Sequence, residues 1–270
     1  MTTAPFEFRK VQTWIREAGD IALRYYQTQL TRKHKEDHSP VTEADHAVEK
    51  FLISKIQQAY ASQDHAIIGE ESGGNWQNSE FVWAIDPIDG TRVFVDGLPL
   101  WGISIGLLRN GEAYRGVVYL PVIDEIYYTD DEGVAFWNKR PLKGMLATEW
   151  DRDSFIGVSS EAHHYFDIDF WRVRAFGSAV AHQVYVARGV AIAALQRKLS
   201  LWDIAGAHAI LNNVGGVAVY LDGSVLSMLE VLVQGTSRGP VLIGHPDVVE
   251  KLLPRIKVRS AATVPADNAD

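Results

Sequence analysis

Apolar residues recur every three or four positions early in the chain, at Val11, Trp14, Ile15, Ala18, Ile21, Ala22 and Tyr25. This spacing predicts an amphipathic helix from about residue 6 to residue 30. The segment TRKHKEDHSP, Thr31 to Pro40, is charged and turn-rich and reads as a connector. A second helical face follows in Ala47, Val48, Phe51, Leu52, Ile56 and Ala59, opened by a capping-box pattern in which Thr42 precedes Asp45 by three residues. After GEESGGN (69–75) a short apolar strand is expected from Phe81 to Ile85. The period then falls to two. Ile103 to Leu108, Tyr114 to Tyr119 and Glu125 to Thr129, separated by RNG and PVID turns, predict an antiparallel meander. The later half alternates strands (Phe155 to Val158, Val190 to Leu195, Val217 to Tyr220) with helices near 179–187 and 203–213, the latter stopped by Asn213 and Gly215-Gly216. No internal repeat and no linker-like composition divides the chain. The expectation is one layered α+β or α/β body over 1–270, with halves of about 1–145 and 146–257 and a flexible tail from about 258.

Composition narrows the chemistry. The chain has 270 residues, 47% hydrophobic and 22% charged, which is enough for one large core. A net charge of -8 argues against nucleic-acid binding, which needs a basic surface. It also means that any phosphate must find positive charge locally. With no cysteine, disulfides, a thiolate nucleophile and a cysteine-based zinc site are excluded. The N-terminus MTTAPFEFRK does not read as a secretory signal, and no apolar run reaches the roughly 20 residues of a membrane span. A soluble, cytoplasmic protein without membrane or nucleic-acid partners is expected.

Acidic residues carry the strongest local signal. Asp86-Pro87-Ile88-Asp89-Gly90-Thr91 follows the apolar run FVWAI directly, so a strand leads into an acidic turn. Pro87 fixes one φ and Gly90 permits a tight turn, so Asp86 and Asp89 can converge on one point. Hard cations such as Mg²⁺ take oxygen ligands of this kind, and the Ile88 carbonyl is a further candidate. A type I turn with solvated aspartates explains the same residues. Gly69-Glu70-Glu71-Ser72 reads as a solvated loop or as glutamates beside a cation. Asp203 in Leu201-Trp202-Asp203-Ile204-Ala205-Gly206 reads as a helix cap or as a third ligand. Asp167-Ile168-Asp169-Phe170 has the first part of a haloacid-dehalogenase-type nucleophile motif but sits mid-chain without the following Thr or Val, and is taken as a surface loop.

Taken together, GEES (69–72), WAIDPIDGT (83–91) and WDIAGA (202–207), supported by VTEAD (41–45) and FGSA (176–179), resemble the inositol monophosphatase family of lithium-sensitive phosphatases. The resemblance runs from about residue 10 to residue 250. It implies an αβαβα sandwich and a phosphatase that hydrolyses a small phosphorylated metabolite, using two or three Mg²⁺ ions to activate water. It further implies metal ligation by Glu70, Asp86, the Ile88 carbonyl, Asp89 and Asp203, with Ile88, Asp89 and Asp203 also bordering the substrate. Glu71 would help place the water, and Thr91 with Asp45 would polarise it. The N–H groups of Gly90 and Thr91 would hold phosphate oxygens, and Gly177, Ser178 and Ala179 would touch substrate, unless Ser178 is an ordinary helix cap. Lys35, or its rival Lys33, matches a basic residue of some relatives. Two departures concern the alcohol half of the substrate. Gln196 stands where inositol-specific relatives carry a sugar-binding glutamate, and Arg92-Val93 replaces a commoner asparagine-containing run. The implied substrates are therefore inositol monophosphate, then histidinol phosphate, then fructose 1,6-bisphosphate. A non-catalytic sugar-phosphate-binding relative would normally lack a ligand carboxylate, and none is missing here. The resemblance also implies a homodimer and inhibition by lithium.

Overall fold

The computed structural model describes residues 6–28, 33–34, 40–60, 65–77 and 79–259. Two long helices, α1 (Phe8–Tyr25) and α2 (Glu43–Tyr60), realise the first two apolar stripes. Helix α1 buries Val11, Trp14, Ile15, Ala18, Gly19 and Ala22. It stops short of the expected residue 30 because the chain turns at Gln27, whose φ is +59°.

Both helices lie on a seven-stranded sheet with the sequential order β1 to β7. Its strands are β1 (His65–Gly69), β2 (Phe81–Asp89), β3 (Gly102–Arg109), β4 (Glu112–Leu120), β5 (Glu125–Thr129), β6 (Ala135–Trp137) and β7 (Arg140–Pro141). The predicted meander is β3 to β5, antiparallel throughout. Strand β1 runs parallel to β2, with Gly69 opposite Ile85. The two carboxyl ends therefore finish side by side, at the position where sheets of this kind commonly bind ligands.

One expectation needs correction. The strand expected to end at Ile85 runs on to Asp89. Asp86 pairs with Ser104 and Asp89 with Gly102, so an extra residue is accommodated as a bulge on β2. Pro87, which has no N–H to give a ladder, falls within that irregularity. Gly90 then takes a left-handed φ of +88° and α3 (Thr91–Val95) begins.

A second sheet is built from β8 (Ile156–Val158), β9 (Val173–Arg174), β10 (Ala193–Gln196), β11 (Val217–Tyr220) and β12 (Val241–Gly244), in the order β9-β8-β10-β12-β11. Helices α4 (Ala179–Ala187) and α5 (Leu201–Asn213) lie between the sheets. Helix α6 (Met228–Gln234) joins that middle layer, and α7 (Pro246–Leu252) covers the outer face of the second sheet. The layers are thus αβαβα. The strand expected over 190–195 starts only at Ala193, because the N–H groups of Val190 and Ala191 close the turn after α4 on the Tyr185 carbonyl.

Two other readings change. Phe166–Ile168 is a short strand paired with Ile256–Val258, and Asp167 forms an ion pair with Arg259 at 2.7 Å. Asp167 therefore belongs to a short two-stranded ladder while Asp169 follows it, and Val258 is part of that ladder and not the start of a tail. Residues 260–270 lie outside the described residues.

Each sheet face has its own core. Trp83, Ile85, Ile103, Ile105 and Leu107 meet α1 and α2, while Val82, Ala84, Leu108 and Val118 meet α4 and α5. Truncating the fully buried Trp83 to alanine would cost about 3–5 kcal/mol. Helix α5 lies close against β3 and β4 because glycine lines the contact. A Cβ on Gly116 would stand 2.0 Å from the Gly206 carbonyl oxygen. That close approach sets Asp203, one turn earlier on α5, over the end of β2.

Candidate metal centre and substrate cleft

Three carboxylates from distant parts of the chain converge at this point. Asp86 and Asp89 come from the end of β2 and Asp203 from the first turn of α5, and each offers an oxygen within 4.8 Å of the others. Asp86 is 1% exposed, and its Oδ1 has no hydrogen-bond partner. Burial first, then the neighbouring Glu70, Asp89 and Asp203, push its carboxyl well above the ordinary value. Asp203 is raised in the same way by burial, then by Asp89 and Glu70. Glu70 follows β1 directly and donates its N–H to the Ile85 carbonyl at 3.2 Å, which fixes it beside Asp86.

A cluster of buried, mutually repelling carboxylates with an oxygen lacking a donor fits a hard divalent cation. The ion would return the charge compensation that burial removes. Asp86, Asp89, Asp203 and Glu70 are the residues placed to hold it. For Asp203 both sequence readings hold, since its Oδ2 also accepts the Ser200 N–H at 2.8 Å and so caps α5.

Asp89 differs from its neighbours. It accepts the Ser178 hydroxyl, the Ala179 N–H at 3.1 Å and the Val180 N–H at 3.0 Å, all at the start of α4. Burial lifts its carboxyl to about 6 against the pull of these three bonds. Ser178 Oγ also accepts the Ala181 N–H at 3.1 Å and is the helix cap. Gly177, Ser178 and Ala179 border the cleft, but the first amides of α4 are engaged by Asp89. The inner wall of the cleft is therefore tied to the carboxylate cluster through a helix end.

Thr91 Oγ1 lies 3.4 Å from Asp45 Oδ1 and 3.2 Å from the Ile88 carbonyl oxygen. Asp45 is fully buried, and burial raises its carboxyl despite bonds from the Thr42 N–H (2.8 Å) and hydroxyl (2.7 Å). The cap expected at 42–45 and the Asp45–Thr91 contact thus coexist. Ile88 itself is buried. Lys35 lies outside the described residues, and Lys33 pairs through its backbone with Val41.

One residue of this site escaped the sequence reading. Glu49, one helical turn beyond Asp45 on α2, is 3% exposed. Its two carboxylate oxygens accept the N–H groups of Glu71 and Ser72, each at 2.8 Å. It clamps the loop that carries Glu70 and Glu71. The available signal was the Asp45-to-Glu49 spacing of four, which puts both acids on one helix face.

From the carboxylate cluster a cleft of about 330 Å³ opens outward, bordered by Asp89 to Val93, Ser159 to Glu161, Gly177 to Ala179, His182 and Gln196 to Lys198. Gln196 is buried, with its amide 3.0 Å from His182 Nδ1, while His182 Nε2 accepts the Phe176 N–H at 3.0 Å. Burial depresses His182 to about 4, so the ring is neutral. Gln196 lines the cleft as expected, but its amide is already partnered. At the cleft Arg92 pairs with Glu161 at 3.1 Å, linking α3 to the C-terminal half.

The sequence from residue 6 to residue 254 matches the model of the inositol monophosphatase family. The chain belongs to this family. Its members are phosphoric monoester hydrolases. Inositol-1-monophosphatase of Bacillus subtilis is 33% identical over 248 residues, 87% of this chain and 90% of that relative. Histidinol-phosphatase of Chlorobaculum parvum is 32% identical over 210 residues, 74% of this chain and 80% of that relative. An IMPase structure from Thermotoga maritima superposes with a TM-score of 0.78 at 22% identity, covering 92% of this chain and 95% of that one, and so shares the fold. The layered αβαβα architecture read from the motifs is the one observed.

Proposed function

We propose that this inositol monophosphatase family member is a magnesium-dependent enzyme that hydrolyses a small phosphate monoester in the cleft beside Asp86, Asp89 and Asp203. The convergence of those three carboxylates next to the Asp45–Thr91 pair is the observation that carries the reading. When bound, Mg²⁺ supplies charge neutralisation of the phosphate and makes water more acidic. The chain supplies the rest. Asp45, held by Thr42, accepts a proton through the Thr91 hydroxyl and so orients the attacking water. Glu71, fixed through Glu49, borders the same water. The N–H groups of Gly90 and Thr91, presented by the turn after β2, face the phosphate oxygens. Placing reactants this way contributes by orientation and by stabilising charge that develops in the transition state.

The named activities of the two relatives supply the first substrates to assay, inositol monophosphate and histidinol phosphate, with fructose 1,6-bisphosphate third. A cleft of about 330 Å³ is at the lower end of small-molecule sites and suits a monoester of sugar size. Among the described residues no helix is long and apolar enough to cross a membrane. The homodimer and the lithium sensitivity implied by the resemblance belong to this same reading.

Phosphate release from the three esters, with Mg²⁺ and with chelator, tests it. Turnover that requires Mg²⁺ and stops on chelation is expected. Absence of release from every ester at millimolar Mg²⁺ would overturn the reading.

A further inference from the structure

The outer wall of the cleft has a charge pattern that the hydrolysis of a lone phosphate does not use. Strand β10 ends at the buried Gln196, and the next two residues, Arg197 and Lys198, are exposed and border the cleft. Arg92 borders the same cleft. Against these three cations the lining offers two acids. Asp89 is held by the start of α4, and Glu161 is paired with Arg92. The Arg197 guanidinium packs 4.4 Å from the centroid of the Tyr165 ring. Such a contact orients the cation while leaving its N–H groups available. Among the described residues, neither Arg197 nor Lys198 forms an ion pair. Gln196, neutral and tied to the neutral His182, adds no negative charge. In a protein of net charge -8, this is a local reversal of sign.

We propose that Arg197 and Lys198 form a subsite for a second phosphate, so that the preferred substrate is a bisphosphate whose departing alcohol carries it. The proposal rests on the phosphatase reading above. The reaction is unchanged: water adds to phosphorus, the P–O bond to the alcohol breaks, and the alcohol oxygen takes a proton. The second phosphate stays on the alcohol, held by the two cations. An alcohol bearing an ammonium group, as in histidinol phosphate, would meet like charge at this wall and bind less well.

The test compares kcat/KM for inositol 1-phosphate and inositol 1,4-bisphosphate at matched free Mg²⁺, in the wild type and in the Arg197→Ala/Lys198→Ala double variant. The wild type should favour the bisphosphate by about tenfold or more, and added salt should erode that preference. The double variant should lose most of the preference through KM, with the monophosphate rate changed less than about twofold. Equal handling of both esters by the wild type would overturn the subsite while leaving the phosphatase reading intact. So would an equal loss on both esters in the variant. No release from either ester would remove both.

Discussion

At the inner end of the cleft, Asp86 and Asp89 are buried and Asp203 is half-buried; the three crowd one another and are each fixed by the end of a regular element. At the outer end, Arg92, Arg197 and Lys198 stand in solvent on a short helix and a loop, and one salt bridge is the only ion pair among them within the described residues. Charge is concentrated and uncompensated at one end, and screened and adjustable at the other. The difference separates chemistry from selectivity. Altering the inner end changes whether the reaction runs and how stable the fold is, whereas altering the outer end changes which ester is preferred.

The largest effect is expected from Asp86→Asn, which should lower kcat/KM by more than about a hundredfold, beyond what residues that merely support a ligand contribute. The same change removes a buried charge whose Oδ1 has no donor. In chelator the variant should therefore be more stable than the wild type, by about 1–2 kcal/mol. Mg²⁺ should raise Tm in the wild type and much less in the variant. If Asp86→Asn destabilises the metal-free protein, the picture of repelling carboxylates is wrong. Asp86 is a better choice here than Asp89. Asp89 caps α4 through three hydrogen bonds, so Asp89→Asn would disturb a helix end as well.

Protons and magnesium should compete for the inner end. Asp89 has a folded value of about 6 against 3.8 ordinarily, so its protonation stabilises the metal-free fold fully below 3.8, and that contribution is lost as pH rises through about 6. The Mg²⁺-induced rise in Tm should accordingly shrink as pH falls from 7.5 to 5.5, on the order of several-fold in apparent affinity. A pH-independent rise would contradict the assignment.

Glu49→Ala should reduce activity by about 10–100-fold with weaker apparent Mg²⁺ affinity, because the clamp on Glu71 and Ser72 is lost. Near-normal kinetics would show that the loop holds itself. The smallest effect belongs to the outer wall. Arg92 and Glu161 are well exposed, so Arg92→Ala should change stability by less than about 1 kcal/mol in chemical denaturation.

What was legible in the sequence follows the same division. The turn chemistry of Asp86 to Thr91 is local, so the aspartates could be read from proline, glycine and the preceding apolar run. The N-terminal helices and the meander were legible because their periodicity is also local. The parallel pairing of β1 with β2 was not, because it joins residues separated by the whole 70–80 loop. Glu49 looked like an ordinary charged residue on a helix, and only its burial under Gly69 reveals its task. The link between Asp89 and α4 spans about ninety residues and leaves no local trace. Arg197 and Lys198 follow Gln196 directly, yet nothing in the sequence says that they border a cleft with Arg92.

The most direct test of the central claim is anomalous diffraction from a crystal soaked in Mn²⁺. The account predicts a peak bounded by carboxylate oxygens of Asp86, Asp89 and Asp203, with Glu70 at its side. A fully soaked crystal with no ion there, and manganese bound elsewhere or nowhere, would contradict it.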